Sequence, residues 1–391
     1  MSYASLLLSK IYKNKLNIIP FALIVIFIVV LYVGNHMSAY AELNDPLYSG
    51  EQEIKEIETD ITKFQKEITN YETSTQEYQI TNDNLMIAKQ RKKLLEQKLE
   101  AVHKKDWKEY YKNDMALNQI ALKAVESDAE SYGEEVISSL KQKQLFNQHM
   151  LNYGLGYDDR FASTQGISYM LQVTKDFMPI LMEILIIFIV SSIYCSCFKN
   201  NLNIHQLIPN SCLNKQTVRF ITGTLIGVLI VLLIELIAYV CGLIGNSSGN
   251  LNTPVYIYSL EGIGTYKALI GFIPQLGFLI VLSVAFIVNV ISIISTFVKR
   301  NMTCLIISFI IIVGTTLAIT EIVPLHSFAH IFPMTYLNFY KVITGELTSI
   351  TSNTNISFLT GVIVLMISNI VLFVLSYTLS QYQTKKGAKL V

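Results

Sequence analysis

Charge, cysteine, proline and tryptophan are all scarce in this chain, and each shortage excludes something. Only 15% of its 391 residues are charged while 51% are hydrophobic, which argues against a single water-soluble globule. None of the five cysteines (Cys195, Cys197, Cys212, Cys241 and Cys304) falls within 41–175, so no disulfide framework is expected there. Cys195, Cys197 and Cys212 lie close in sequence, but their spacing matches no zinc pattern and His205 is the only imidazole nearby, so no metal site is expected. Catalytic signatures are missing as well. There is no GxxxxGK[ST] loop to cradle ATP, no GxSxG and no HExxH. His36, His103, His149, His205, His326 and His330 are scattered, and only the last two could share a helix face. Neither a catalytic residue nor a cofactor bound by this chain is expected.

What the chain does have is six apolar runs, near 17–40, 177–198, 220–244, 268–298, 302–322 and 356–380. A hydrocarbon core about 30 Å thick needs roughly 20 apolar helical residues, and all six qualify. Lys10, Lys13 and Lys15 precede the first run, but no small-residue cleavage site follows it, so it reads as a retained helix and not a signal peptide. If every run spans, Lys10, Lys13, Lys15, Lys199, Lys215, Arg219, Lys299, Arg300, Lys385, Lys386 and Lys389 all fall on one side. The positive-inside rule makes that side the cytoplasm. The expectation is an all-α, multi-pass protein of the plasma membrane with six transmembrane helices and both termini cytoplasmic. Residues 1–40 hold the N-terminus and first span. Residues 41–175 form an extracytoplasmic domain, and 176–391 carry the other five spans, a cytoplasmic loop at 199–219 and a tail at 381–391.

The block 41–175 is a different material, acidic overall and free of proline after Pro46. Ile54, Ile57, Ile61, Phe64, Ile68, Tyr71, Thr75, Tyr78, Asn82 and Leu85 recur at coiled-coil spacing, which predicts a long helix packed lengthwise on another. The register fails around Thr81–Asn84. A second helix is expected from about Leu85 to Tyr111, with Leu95, Leu99 and Val102 inward. A third is expected over about 114–150, with Leu117, Ile120, Val136, Ile137 and Leu140 inward. Two or three long antiparallel helices would make a coiled-coil-like domain, either a lid or dock for a ligand or simply a self-supporting bundle. The basic, aromatic-interleaved run 88–112 reads as a solvated face, with anionic cell-wall polymer or lipid head groups as the other option; outside a cell no nucleic acid partner is expected. Residues 245–266 read as loop, and 323–355, rich in aromatic rings, as short helices at the outer interface.

Three carboxylates lie in or at the spans: Glu183, Glu235 and Glu321. A carboxylate at the centre of a membrane helix costs about 2.5–3.5 kcal/mol on insertion scales, so each should face protein or a water path. They read either as a polar lining for a substrate or ion pathway, or as groups satisfied by outer water and neighbouring hydroxyls.

Within 197–220, Leu202, Ile204, Leu207 and Ile208 form an apolar ridge at helical spacing, ended by Pro209 and flanked by Lys199, Lys215 and Arg219. One or two turns of amphipathic helix are unstable alone in water and must rest on membrane or protein. This pattern resembles the permease subunits of type-2 ABC exporters. That family carries a cytoplasmic coupling helix after its second span, followed by a leucine, leucine, x, proline, [IV]-S-[RK] pattern. Here Gln206, Leu207, Ile208 and Pro209 occupy those places; Ser211 keeps the serine, while Asn210 and Cys212 depart from it. The family's P-x-x-Y-x-x-x-x-K-x-x-x-G before the sixth span is similar to Pro333, Tyr336, Lys341 and Gly345.

The resemblance implies a non-catalytic membrane subunit that exports a peptide, lipid or drug, or clears it from the outer leaflet. It implies two partner ATPase subunits holding ATP and Mg, and a second permease subunit, identical or not. Leu202, Ile204, His205, Leu207, Ile208 and Pro209 would dock in the ATPase. Two other functions stay open. One is a cation-efflux permease using Glu183 and Glu235; the other is a membrane-tethered sensor or structural protein that recognises the cell wall without transport.

Overall fold

In the computed structural model the chain is mostly helical. The structure describes residues 7, 17–45, 50–127, 129–195, 198–199, 202–203, 211–260, 262–298 and 300–388. In chain order the helices are α1 (Ile18–Asn44), α2 (Glu51–Ile68), α3 (Gln76–Lys104), α4 (Trp107–Ser127), α5 (Ala129–Tyr153), α6 (Gly166–Asp176), α7 (Met178–Cys195), α8 (Cys212–Gly245), α9 (Ile273–Phe297), α10 (Asn301–Glu321), α11 (Phe339–Ile343), α12 (Glu346–Thr351) and α13 (Phe358–Ala388). Two short antiparallel pairs join them: β1 (Phe198–Lys199) with β2 (Leu202–Asn203), and β3 (Pro254–Ile257) with β4 (Thr265–Ala268). Among the described residues six helices, α1, α7, α8, α9, α10 and α13, are long and apolar enough to cross a membrane. Their ends fall within about five residues of the apolar runs except at the end of α13, which runs on to Ala388, and at the start of α8. That helix starts at Cys212 because Ser211 caps it, its hydroxyl accepting the Asn214 N–H at 3.2 Å.

The chain divides into two compact units, one of Met1–Leu31, Met170–Cys241 and Gly271–Val391, the other of Tyr32–Tyr169 and Gly242–Ile270. In the first unit α7 is the central helix, packed on α9 and α10, and α13 lies along α9. Leu185, Ile186, Ile187 and Val190 of α7 have no exposed surface. By contrast α8 and α13 present apolar faces, with Leu229 63% and Leu359 69% exposed. Each such side chain is worth about 1.5–3 kcal/mol when removed from water, so faces of this extent need lipid or another apolar cover. Between α10 and α13 the chain runs through two 3₁₀ segments (Val323–Ile331 and Pro333–Leu337), α11 and α12, which pack back onto the spans. The short helices expected in 323–355 are present.

The second unit corrects the helix count of 41–175. The first break falls at Thr69–Thr75, and Thr81–Asn84 lies inside α3. Small hydroxyl residues decide it. Thr69 donates its hydroxyl to the Lys66 carbonyl at 2.6 Å as α2 ends, and Thr75 caps α3 by accepting the Tyr78 N–H at 3.3 Å. The expected second helix ends earlier, at Lys105 in the left-handed region (φ 55°), where Asp106 caps α4 by accepting the Glu109 N–H at 3.1 Å. The expected third helix is two, α4 and α5, and Val136 is exposed, not inward. Ile57, Ala88 and Leu95 form one core with Ile54, Ile61, Phe64 and Leu117. Tyr110, Tyr111, Phe146, Met150 and Tyr157 form another.

The stretch 245–266, expected as loop, includes β3, and the hairpin of β3 and β4 packs on α5. This compact unit runs from Tyr32 to Tyr169 and takes in Gly242–Ile270 as well. Five of the nine Lys and Arg residues in 88–112 form ion pairs, among them Arg91 with Glu53 (2.6 Å), Lys92 with Glu58 (2.8 Å) and Lys98 with Asp114 (2.7 Å).

Candidate functional site

The loop between α7 and α8 carries the strongest sequence signal, and its two flanks are tied together. Tyr194, one residue before the end of α7, donates its hydroxyl to the Arg219 carbonyl at 2.7 Å. The Arg219 guanidinium lies 4.3 Å over the Tyr194 ring and reaches Ser295 Oγ of α9 at 3.3 Å. Cys195, the last residue of α7, points its thiol at the Val298 carbonyl at 3.7 Å. Of the predicted coupling residues, Leu202 sits in β2, paired with Lys199, and not in a helix. Antiparallel pairing this close to the end of α7 leaves a helix no room to start at 202. Ile204, His205, Leu207, Ile208 and Pro209 lie outside the described residues.

A polar seam continues from that clamp into the membrane unit. Gln216 of α8 donates to Ser292 Oγ of α9 (3.1 Å) and Ser376 Oγ of α13 (2.6 Å), and those two hydroxyls are 2.9 Å apart. Further along, Asn289 Nδ2 donates to Asn369 Oδ1 at 2.9 Å. Gln216, Asn289, Ser292 and Ser376 are all buried. Interhelical hydrogen bonds of this kind fix helices against one another where apolar contact alone gives little direction. The seam was missed in the sequence, although Asn289, Ser292 and Thr296 recurring every three or four residues in an apolar span is its signature.

The three carboxylates do not share one site. Glu183 is fully buried on α7, accepting the Thr316 hydroxyl of α10 at 3.0 Å. Glu235 on α8 accepts the Thr174 hydroxyl of α6 at 2.7 Å. In each the second oxygen, Oε2, is buried without a hydrogen-bond partner among the described residues. Glu321 ends α10, exposed. Around Glu183 two facing rows stand at four-residue spacing: Glu183, Ile187, Ser191 and Cys195 on α7, and Thr316, Ile312, Ser308 and Cys304 on α10, all buried. The Cys304 thiol reaches Ser191 Oγ at 3.8 Å. Polar groups thus occupy both ends of this seam, and Ile187 and Ile312 fill its middle.

The motif before the last span is brought together. Pro333 opens the second 3₁₀ segment, where its fixed φ and missing N–H fit. Tyr336 is fully buried, its hydroxyl donating to the His330 carbonyl at 2.8 Å and its own carbonyl accepting from Ser283 of α9 at 3.3 Å. Its ring lies on Gly361 of α13 so closely that a Cβ there would fall 2.5 Å from ring carbon Cδ1. Lys341 pairs with Glu346 at 3.4 Å, and Gly345 (φ 74°) adopts the left-handed turn between α11 and α12 that a Cβ would resist. Tyr336 holds the 323–351 segment on α9 and α13, while Pro333, Lys341 and Gly345 shape the segment itself. Among the described residues no group of three or more His, Cys, Asp or Glu side chains is placed to hold a metal ion.

No family model matches this chain, and no curated protein or solved structure matches it. Fold and site together suggest a multi-pass membrane protein.

Proposed function

We propose that the chain is the transmembrane permease subunit of an ATP-driven, type-2 ABC exporter, working with two separate ATPase subunits and a second permease copy or homologue. In this reading both termini and the loop 199–219 face the cytoplasm, and the helical unit inserted after α1 faces outward. The observation that carries the reading is the clamp at the loop's flanks. Tyr194, Cys195, Gln216 and Arg219 fasten the two ends of one polar loop to α9 and α13. A push on such a loop is delivered to four spans at once and not absorbed by a flexible connector. Closure of an ATPase pair would supply that push through its differential affinity for two states of the spans.

Affinity purification of the intact protein tests the reading. An ATPase subunit should copurify, and Ile204→Asp with Leu207→Asp should abolish its recovery while leaving the permease in the membrane. Failure to recover any ATPase, with no effect of the double substitution, would remove the transporter reading. The cation-efflux alternative draws on one observation, the buried and unpartnered Oε2 of Glu183. It requires Glu183→Gln to abolish sodium or proton movement.

A further inference from the structure

Two of the five cysteines meet where α7 ends and α10 begins. Cys195 is the last residue of α7 and Cys304 the fourth of α10, and both are buried and free. A buried cysteine packed only on apolar side chains behaves as a small hydrophobe. These two have polar neighbours instead. The Cys304 thiol donates to Ser191 Oγ at 3.8 Å, and Ser191 lies one turn before Cys195 on the same face of α7. The Cys195 thiol donates to the Val298 carbonyl, just past the end of α9, at 3.7 Å. The Cys195 and Cys304 side chains also interact directly with each other. One thiol thus reaches towards the start of α10 while the other reaches back to α7, which holds the sulfurs face to face.

Two facing thiols can share a metal or a covalent bond. A structural zinc site needs four ligands, and among the described residues no third His, Cys, Asp or Glu completes a set with them. The polar neighbours also give the two sulfurs different chemistry. The Ser191 hydroxyl can turn and donate to a sulfur anion, whereas the Val298 carbonyl can only accept a proton from Cys195. Cys304 is therefore the nucleophile and Cys195 the resolving thiol.

We propose that Cys195 and Cys304 form a reversible intramolecular disulfide when the protein meets a hydroperoxide. The Cys304 thiolate attacks one peroxide oxygen and breaks the O–O bond, leaving a sulfenic acid, and the released hydroxide takes up the thiol proton as water. The Cys195 sulfur then attacks the Cys304 sulfur. The S–S bond forms, the S–O bond breaks, and the hydroxyl leaves as a second water with the Cys195 proton. Two thiols are oxidised and one peroxide is reduced to two waters; a dithiol reverses the bond by exchange. Both cysteines sit in the terminal turn of their helices, where local opening costs least, which admits so small an oxidant. The bond fastens the end of α7, where the loop to α8 begins, to the start of α10, and so locks these two helices together. It stands independently of whether an ATPase drives the protein.

The test uses the full-length protein in detergent, first held reduced and then treated with hydrogen peroxide. It is unfolded in N-ethylmaleimide, digested and read by mass spectrometry. A peptide pair linked through Cys195 and Cys304, two hydrogens lighter than its parts, should appear with peroxide and vanish with dithiothreitol. Oxidation should raise the melting temperature by about 5 °C, because the bond closes a long loop. Cys197→Ser should link and shift as the unaltered chain does, whereas Cys195→Ser and Cys304→Ser should do neither. If a serine variant is itself unstable, the linked peptide of the unaltered chain still decides the matter. In Cys195→Ser the stalled sulfenic acid should be trapped by dimedone on Cys304. Both thiols still open to N-ethylmaleimide after peroxide, or linkage of either to Cys197, Cys212 or Cys241 in place of the other, would overturn the proposal. No dimedone adduct on Cys304 in Cys195→Ser, with one on Cys195 in Cys304→Ser, would overturn the assignment of the nucleophile.

Discussion

Tyr194 and Arg219 hold each other twice: the hydroxyl of one donates to the carbonyl of the other at 2.7 Å, and the guanidinium returns over the ring at 4.3 Å. The two contacts separate experimentally. Tyr194→Phe removes the hydrogen bond and keeps the ring, and should cost about 1 kcal/mol. Arg219→Gln removes the cation and keeps the backbone carbonyl. Thermal unfolding in detergent of the single and double variants should show non-additivity of at least about 0.5 kcal/mol, as expected for residues in contact. Strict additivity would mean that the clamp carries no energy.

Gly223 and Gly227, four apart on α8, set a second test. A Cβ at Gly223 would meet the Tyr194 hydroxyl at 2.5 Å and Val288 Cγ1 at 2.8 Å; one at Gly227 would meet Val284 Cγ1 at 2.5 Å. Alanine at either should destabilise by about 1–3 kcal/mol through overpacking. Gly277 and Gly314, in α9 and α10, have nothing among the described residues within 4 Å of such a Cβ. Alanine there should be neutral or slightly stabilising, because it favours helix. Equal losses at all four positions would contradict the packing of α8 on α7 and α9.

The pH dependence of the second unit should have two slopes of opposite sign. Burial by itself would raise Asp114, but Lys98 and Lys143 outweigh it and hold the carboxyl at about 2. A depressed folded-state value contributes stability that is present above the unfolded value near 4 and lost as pH falls from there to about 2. Asp158 behaves oppositely. Burial pushes it up to about 7, against hydrogen bonds from Ser168 and Thr164. The folded unit then holds a proton the unfolded chain has released, and stability declines as pH rises from about 4 to about 7. Asp158→Asn should flatten the upper slope in a thermal-melt series across pH. Asp114→Asn should remove the acid slope and cost about 3–5 kcal/mol by leaving the partly buried Lys98 without its counter-charge.

Glu183→Gln keeps an acceptor for the Thr316 hydroxyl and should leave assembly and sodium tolerance unchanged. Glu183→Leu removes the buried carboxylate and leaves the Thr316 hydroxyl on the Ile312 carbonyl of its own helix at 2.9 Å, and should change thermal stability by less than about 1 kcal/mol. Loss of sodium tolerance in the glutamine variant, with assembly intact, would favour the cation-efflux reading over the exporter.

The six apolar helices were legible because length and apolarity alone define them, although Lys215 and Arg219 lie inside α8 and not at its end. Helix breaks were less legible. The residues Thr69–Thr75 and Thr81–Asn84 look equally polar, and the difference lies in which hydroxyl finds a backbone partner, as Thr75 does with Tyr78. The β3–β4 hairpin hid behind Gly262 and Gly264, which read as loop, although Val255 and Tyr266 on either side already carry strand chemistry. Tyr336, Lys341 and Gly345 were recognisable by spacing, but their role in fastening a segment to the spans needed Ser283 and Gly361, distant in sequence. The polar spacing of the seam from Gln216 to Asn369 stood in the sequence, but its pairing was hidden for the same reason. Single Ser and Asn residues in an apolar run say nothing of their partners until the helices are laid side by side.

The hairpin of β3 and β4 bears on how such a protein can be inherited. Because Gly242–Ile270 belongs to the same compact unit as Tyr32–Tyr169, that unit is encoded in two separated stretches of sequence. Neither exchange between relatives nor deliberate grafting can move it as one cassette. A swap of 41–175 alone strands β3 and β4 beside a foreign α5, so functional chimeras should arise only when both stretches travel together.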